Sequence, residues 1–351
     1  MKHLVILANE STDEHTIWNK ACADFKTDVT CRVVYLTRDN WLQEVTKEPA
    51  DCLLAKPGGT IDYFKELYDE RLRILADELG YMVYPSLQEI YVYENKRYLS
   101  YWLKAKAVPH PETHVFYHQD EAMQFVRSAR LPLVAKLNIG ASGNGVVILK
   151  DRSSADDYVE RIFGEGVSAR TGPRVDKGKM MQRTFYMLTH PTKLRARLSK
   201  YKSVAANPQK GFCIFQEFIP HTFEWRVVRI GDSFFAHKKM VKGEKASGSL
   251  IKGYDNPPLS LFDFSKEITD RVQFRSQALD IFETADGRYL VNEMQCIFGQ
   301  SDPYQMLVDD KPGRYIHVNG QWIFEEGMFN QNESFNLRLK DVLFLLGRET
   351  H

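Results

Sequence analysis

The sequence predicts an α/β chain with α+β character in its second half, and three observations predict it. Strand-like and helix-like stretches alternate over residues 1–91, the pattern of a small doubly wound parallel domain. A glycine-rich loop at residues 140–145 joins two short apolar stretches as a hairpin. Beyond residue 211, apolar strands follow one another through Gly-Asp, Asp-Gly and Asn-Gly turns, as consecutive hairpins do.

At 351 residues the chain is long enough for two or three packed units. Hydrophobic content of 43% and charged content of 26% are those of an ordinary globular protein. A net charge of +1 gives no electrostatic case for a nucleic-acid or membrane partner. No apolar run approaches the ~18 residues needed to span a bilayer. The opening residues 1–7 are too short for a secretory signal and read as a first strand. The five cysteines are odd in number and form no Cys-x-x-Cys pair, which points to reduced thiols in a cytoplasmic protein. Cys213 and Cys296 fall on predicted strands and read as buried small hydrophobes rather than nucleophiles. The histidines show no metal-ligand spacing.

Residues 3–8 are a continuous apolar run, expected of a strand buried on both faces. A polar loop leads to a helix over residues 14–25, and residues 32–36 and 51–55 are further strands. Residues 62–79 carry helical periodicity, with Phe64, Leu67, Leu72, Leu75 and Leu79 on one face, and Gly80 stops that helix. No glycine fingerprint follows the first strand, so this domain is not assigned a dinucleotide. A helix over residues 93–104 ends before Pro109, and a strand at 113–117 and a helix at 120–129 lead into the hairpin.

The hairpin loop holds Gly140, Ser142, Gly143 and Gly145. Glycines there let backbone N–H groups point at phosphate, and Lys136 ends the first strand, where an ammonium would meet the same phosphates. On the loop alone, a plain tight hairpin and a nucleotide flap are equally good readings. A helix over residues 156–164 follows. Residues 170–202, dense in Arg and Lys, read either as a solvated insertion or as arginines closing over an anion.

The order of these features resembles the ATP-grasp superfamily: a helix opening with Asn95-Lys96, a Val108-Pro109-His110-Pro111 exit, a helix, then a strand ending in Lys136 before a glycine flap. It is similar to the glutathione synthetase and ribosomal-protein glutamate ligase type. The resemblance implies an ATP-grasp fold with a Rossmann-like domain at 1–91, a central subdomain at 92–210, a C-terminal subdomain at 211–330 and a closing helix at 331–351. ATP would lie between the central and C-terminal subdomains. Lys96, Lys136 and the flap residues would hold its phosphates, Gln216, Glu217 and Ile219 would read adenine, and Glu224 would also face the nucleotide. Glu224-Trp225-Arg226 resembles the family's Asp-x-Arg motif, whose planar guanidinium meets two phosphoryl oxygens at once. On the next strand Lys238 or Lys239 fills the family's basic position, and alternation does not choose between them. Residues 245–249 resemble a basic-Ala-Ser-Gly-Ser turn in place of the Arg-x-Asn pattern of peptide-forming ligases.

Glu293 and Gln295 are two apart on one strand and share a face, and Asp280 can lie opposite them. Such hard-oxygen groups suit magnesium, with nucleotide phosphates and waters as its other ligands. The family triplet is Asp, Glu and Asn, so Gln295 stands where asparagine belongs, and Asn292 points to the opposite face of a regular strand. Residues 299–302 fall where the family places acceptor loops, residues 315–325 form a hairpin through Asn319-Gly320, and residues 336–346 form a closing amphipathic helix. The resemblance implies ATP, two magnesium ions with manganese as a substitute, small carboxylate and amine substrates, and room for a homodimer. The implied activity is carboxylate–amine ligation through an acyl phosphate, releasing ADP and phosphate. The alternative is an ATP-grasp kinase that stops at phosphorylation.

Overall fold

Strand β1 (Lys2–Ala8) buries every side chain from Leu4 to Ala8, as a central parallel strand must when both its faces are covered. The computed structural model describes residues 1–9, 15–57, 62–139, 145–169, 207–242, 245–246, 251–298 and 302–348. They pack as two units, Met1–Pro111 with Ile219–His351, and Glu112–Phe218. In the first unit, β2 (Val29–Tyr35), β1, β3 (Cys52–Ala55) and β4 (Val83–Tyr84) form a parallel sheet in that order. Helices α1 (Thr16–Asp24), α2 (Trp41–Thr46) and α3 (Asp62–Arg73) make the crossovers, and α3 continues through a π-helical turn, Ile74–Glu78. Trp18 of α1 is wholly buried, and its indole donates to the Ala55 carbonyl at 3.1 Å.

The cysteines correct one expectation. Cys22 on α1 and Cys31 on β2 are joined as a disulfide, while Cys52, Cys213 and Cys296 are buried thiols outside any disulfide. The helix runs back over the sheet and β2 returns beneath it, so residues nine apart in sequence meet. A nine-residue spacing carries no signal of that return. The cytoplasmic expectation loses the support that uniformly reduced thiols gave it.

Helix α4 (Leu87–Val92) is absent from the sequence expectations, although Ser86-x-x-Glu89 writes its capping box: Ser86 Oγ accepts from the Glu89 N–H and Glu89 Oε2 from the Ser86 N–H. The helix expected over 93–104 starts later, at α5 (Lys96–Ala105), because Asn95 Oδ1 accepts the Tyr98 N–H and caps it there. Between the two helices Glu94 takes a left-handed backbone, φ +48°.

The second unit contains β5 (Thr113–Phe116), α6 (Gln119–Ser128), β6 (Leu133–Lys136), β7 (Val146–Leu149), α7 (Arg152–Phe163) and β8 (Cys213–Glu217). Its sheet is antiparallel in the order β5-β8-β6-β7. The glycine hairpin is therefore real, pairing Leu133 with Leu149 and Lys136 with Val146. Ala122, Val126, Ala155, Val159 and Ile162 of the two helices bury against Phe215 and its neighbours. Helix α7 begins four residues earlier than expected, where Asp151 accepts the Ser154 N–H.

The remainder of the first unit is a large sheet. Its strands are β9 (Phe223–Ile230), β10 (Ser233–Lys242), β11 (Lys245–Ala246), β12 (Lys252–Gly253), β13 (Ser276–Glu283), β14 (Tyr289–Gln295), β15 (Leu307–Val308), β16 (Lys311–Val318) and β17 (Gln321–Glu326). The main order is β14-β13-β9-β10-β16-β15, with β11 and β12 on β10 and β17 on β16. Helix α8 (Leu259–Arg271) adds Leu261, Phe262 and Ile268 to the core, and α9 (Phe335–Arg348) closes the chain. Phe335 of α9 meets Trp18 edge-on at 4.6 Å. The second oxygen of Glu89 accepts the Arg275 and Ser276 N–H groups at 2.9 and 2.6 Å, fastening α4 to the start of β13.

Two predictions follow from this packing. Burial pushes the Glu89 carboxyl up to about 7 against its four hydrogen-bond donors. The folded chain then holds a proton that the unfolded chain has already lost, so stability falls as pH rises from about 4.5 to about 7. Urea unfolding across that range should show the slope, and Glu89→Gln should flatten it. At Gly313 on β16 an added Cβ would lie 2.3 Å from Phe324 Cζ and 2.5 Å from the Glu325 carbonyl oxygen. Gly313→Ala should cost about 1–3 kcal/mol of stability by overpacking, measured the same way.

Candidate functional site

Strand pairing lines up four polar side chains across four neighbouring strands. Glu293 on β14 is paired with Asp280 on β13, Asp280 with Arg226 on β9, and Arg226 with His237 on β10. Two residues along, Glu224 on β9 faces Lys239 on β10. Side chains two apart on a strand share a face, so both rows stand on the same side of the sheet. Arg226 grips Asp280 with both forks, Nε to Oδ1 at 2.8 Å and Nη2 to Oδ2 at 2.9 Å. Lys239 reaches between the rows, 2.6 Å from Glu224 Oε2 and 2.7 Å from Asp280 Oδ2.

The electrostatics follow from burial. Alone, burial would raise the Asp280 carboxyl, but the Arg226 guanidinium and Lys239 ammonium outweigh it and hold it well below the usual carboxylate range. Burial would likewise strip the proton from Lys239, yet Asp280 and Glu224 push its pKa up. Lys96, at the start of α5, lies 3.4 Å from Glu94 and 4.0 Å from Glu293, and these carboxylates overcome burial to raise its pKa. Three cations thus meet four carboxylates, and the excess negative charge favours a further cation.

Two sequence expectations are corrected here. Lys238 is not part of the cluster: it points to the other face of β10, donating to Asp255 at 2.6 Å and lying over the rings of Phe223 and Trp225. Asn292 does not point away. The pairing steps from Asp280–Glu293 to Ile281–Val291, which leaves Asn292 as the extra residue of a β-bulge. The bulge turns its side chain so that Nδ2 donates to Glu224 Oε1 at 3.2 Å.

The remaining expected residues divide between the units. In the first, Gln295 Oε1 lies 3.4 Å from Arg226 Nη2, and the Ile219 carbonyl lies 2.6 Å from His221 Nδ1. In the second, Lys136 is buried at the end of β6, Gln216 donates to Thr113 Oγ1 at 3.1 Å, and Glu217 Oε1 accepts the Glu112 N–H at 2.8 Å. Gly145 is needed for close packing, since a Cβ there would fall 2.9 Å from Leu137 Cβ. Gly140, Ser142 and Gly143 lie outside the described residues, as do the basic stretch 170–202, residues 247–249 and residues 299–301.

Several residues escaped the sequence reading. His237 shares the face of Lys239, an alternation that could have found it. Burial first, then Arg226 and Lys252, push its imidazole down to about 3, so it is neutral, and its Nδ1–H donates to the Gln305 carbonyl at 3.0 Å. Asp302 is held by Lys252 and Tyr254, each at 2.6 Å. Phe298 lies against Arg226 at 5.5 Å. Glu94 had no signal, because only its left-handed turn brings it beside Lys96.

The donor set can be tested against magnesium. Among the described residues no three His, Cys, Asp or Glu side chains gather as a ready-made metal cage. Asp280 Oδ2 already takes two donors and Oδ1 one, which leaves a lone pair on Oδ1. Glu293 lies 3.5 Å from Gln295 Nε2 and 4.0 Å from Lys96. Such a set fits an ion that takes one or two carboxylates and relies on phosphates and waters for the rest. Removing the central carboxylate should be costly whatever binds: Asp280→Asn leaves Arg226 and Lys239 without their shared partner and should destabilise the fold by about 3–5 kcal/mol in urea unfolding.

No family model and no curated protein matches the chain. Solved structures do. An ATP-grasp RimK domain protein from Sphaerobacter thermophilus is similar at 16% identity and TM-score 0.51, covering 83% of this chain and 90% of that one. N5-carboxyaminoimidazole ribonucleotide synthetase from Thermotoga maritima is similar at 14% identity and TM-score 0.54, over 98% and 76%. D-alanine–D-alanine ligase from Bacillus anthracis is similar at 11% identity and TM-score 0.54, over 99% and 100%. At such identities the likeness is one of fold, and it agrees with the parallel N-terminal sheet and the antiparallel sheets that follow: the chain has the ATP-grasp fold.

Proposed function

We propose that the chain is an ATP-dependent carboxylate–amine ligase acting on small molecules through an acyl phosphate. The observation that carries this reading is the cross-strand row Glu293–Asp280–Arg226, buried on the sheet of an ATP-grasp fold. Two proteins with that fold named above are a ligase and a synthetase. Lys96 and Lys136 hold nucleotide phosphates as point charges, and the flap N–H groups close over them. Arg226, already oriented by Asp280, offsets charge on the transferring phosphoryl group without reorganising. Lys239 keeps Asp280 and Glu224 in place, and Asn292 steadies the outer oxygen of Glu224. Glu293 and the remaining lone pair of Asp280 would hold magnesium, which would supply charge neutralisation for the nucleotide phosphates. Gln216, Glu217 and Ile219 take the adenine side.

The test is the ratio of phosphate to ADP released from Mg-ATP with a pool of small carboxylic acids and amines. Equal amounts, requiring both an acid and an amine, support ligation. ADP without matching phosphate means the phosphoryl group stays on an acceptor, and the protein is a kinase; no ADP with any pool refutes both. Glu293→Gln should abolish turnover with the fold intact, and full activity would remove it from the metal site. Lys136→Ala should chiefly raise KM for ATP. Lys239→Met should cost turnover heavily, whereas Lys238→Met, on the other face, should stay within about two-fold of wild type.

A further inference from the structure

Immediately before α9 the chain takes a turn that its residue types do not favour. Asn332, Glu333 and Ser334 have φ of +48°, +54° and +63°, the longest left-handed run of non-glycine residues among the described residues. Each such residue crowds its Cβ against the following carbonyl, so a run of three persists only where its surroundings hold it. Asp24 of α1 supplies one hold: its Oδ2 accepts Asn332 Nδ2 at 2.9 Å and Asn336 Nδ2 at 2.8 Å, bracketing the bend. Arg338 supplies another, its Nη1 donating to the Glu333 carbonyl at 3.1 Å.

What the turn achieves is the placing of one hydroxyl. Ser334 is wholly buried, and its Oγ donates to Asn330 Oδ1 and accepts Gln305 Nε2, both at 2.6 Å. Asn330 Nδ2 in turn donates to the Asp302 carbonyl at 2.5 Å. Both ends of the segment 302–305 are thus fastened from one point. The segment runs beside β10 on the face of the Arg226 row. At one end Asp302 Oδ2 accepts Lys252 Nζ at 2.6 Å, and Lys252 is paired with Lys239. At the other the Gln305 carbonyl accepts the His237 Nδ1–H at 3.0 Å, and His237 is paired with Arg226. Across the strands the row reads Glu293, Asp280, Arg226, His237, so the segment borders it at the end opposite Glu293. In the ligase reading the nucleotide phosphates and magnesium belong to the Glu293 end, which leaves the His237 end to the acceptor. We propose that Ser334 is a positioning residue for that end: the left-handed turn aims its hydroxyl so that it holds segment 302–305, and with it the His237 ring, against the Arg226 row. This rests on the ligase reading. Ser334 touches no substrate and acts through Gln305. Loss of its hydroxyl loosens the acceptor end and leaves ATP binding intact.

The test uses the full chain and three readouts: Tm, nitrogen NMR of the imidazoles near neutral pH, and turnover. The His237 signal is assigned by its absence in His237→Gln. In wild type it should show one neutral tautomer with the proton on Nδ1, fixed by the Gln305 carbonyl. Ser334→Gly suits the left-handed backbone and removes only the hydroxyl, so its Tm should stay within a few degrees of wild type. Its His237 signal should nevertheless average between tautomers. Its kcat should fall about ten-fold or more and its acceptor KM rise, while KM for ATP stays within about two-fold. Glu333→Gly relaxes the same turn and keeps the hydroxyl, and should retain both the signal and the turnover. A serine with a merely structural role would lower Tm and leave the His237 signal and the acceptor KM as in wild type; that result overturns the proposal. Averaging of the signal in Glu333→Gly as well would assign the effect to the backbone rather than the hydroxyl, and overturns it too. If Ser334→Gly fails to fold, Gln305→Met breaks the same bond from its other end and decides by the same readouts. If the signal is lost with the hydroxyl but wild type releases no ADP, the turn positions His237 and the ligase reading alone fails. Ligase turnover indifferent to Ser334 overturns the positioning and spares the ligase.

Discussion

The bidentate pair between Arg226 and Asp280 is the constraint on which the rest of the site depends. Both groups are buried or nearly so, and each would be costly alone. The pair is tolerable because its geometry is two parallel forks and because Lys239 occupies the remaining side of Oδ2. These three residues come from β13, β9 and β10, so the arrangement exists only while those strands keep register. A slip of one residue would turn Arg226 to the other face and put Trp225 or Val227 in its place. The cluster therefore fixes the sheet as much as the sheet fixes the cluster.

The same unit ties its parallel domain to this sheet from behind. Trp18 meets Phe335, Arg338 donates to Ser276, and Arg275 pairs with Asp341 at 2.6 Å. Glu89 adds two bonds to the start of β13, four residues before Asp280. Helix α9 closes the chain by holding β13 against the N-terminal domain, and its buried arginine faces the ring that also backs Arg226. A helix read from the sequence as amphipathic closure thereby reaches the edge of the site.

What was legible in the sequence was what depends on period and order. The apolar run of β1, the glycine hairpin after Lys136, the Glu224-x-Arg226 spacing and the Asp280 and Glu293 strands are all local patterns. What was not legible depends on departures from period. A regular strand would send Asn292 away from the site, and only the bulge brings it to Glu224. Neither Lys238 nor Lys239 stands out until the register with Glu224 and Trp225 is known. Glu94 enters through a left-handed turn that its residue type does not suggest. Cys22 and Cys31 meet because a crossover returns, which no spacing rule records. The Ser86-x-x-Glu89 box is a local pattern that marks α4, whereas the bond from its glutamate to β13 depends on the fold.

The most direct measurement is calorimetric titration of ATP into the full chain, with and without magnesium. A site of three cations and four carboxylates should bind one ATP per chain and should need magnesium to do so tightly. Metal-free ATP would meet uncompensated carboxylate charge and bind far more weakly. No ATP binding in the presence of magnesium, or equal affinity with and without it, would contradict the assignment of this cluster to Mg-ATP.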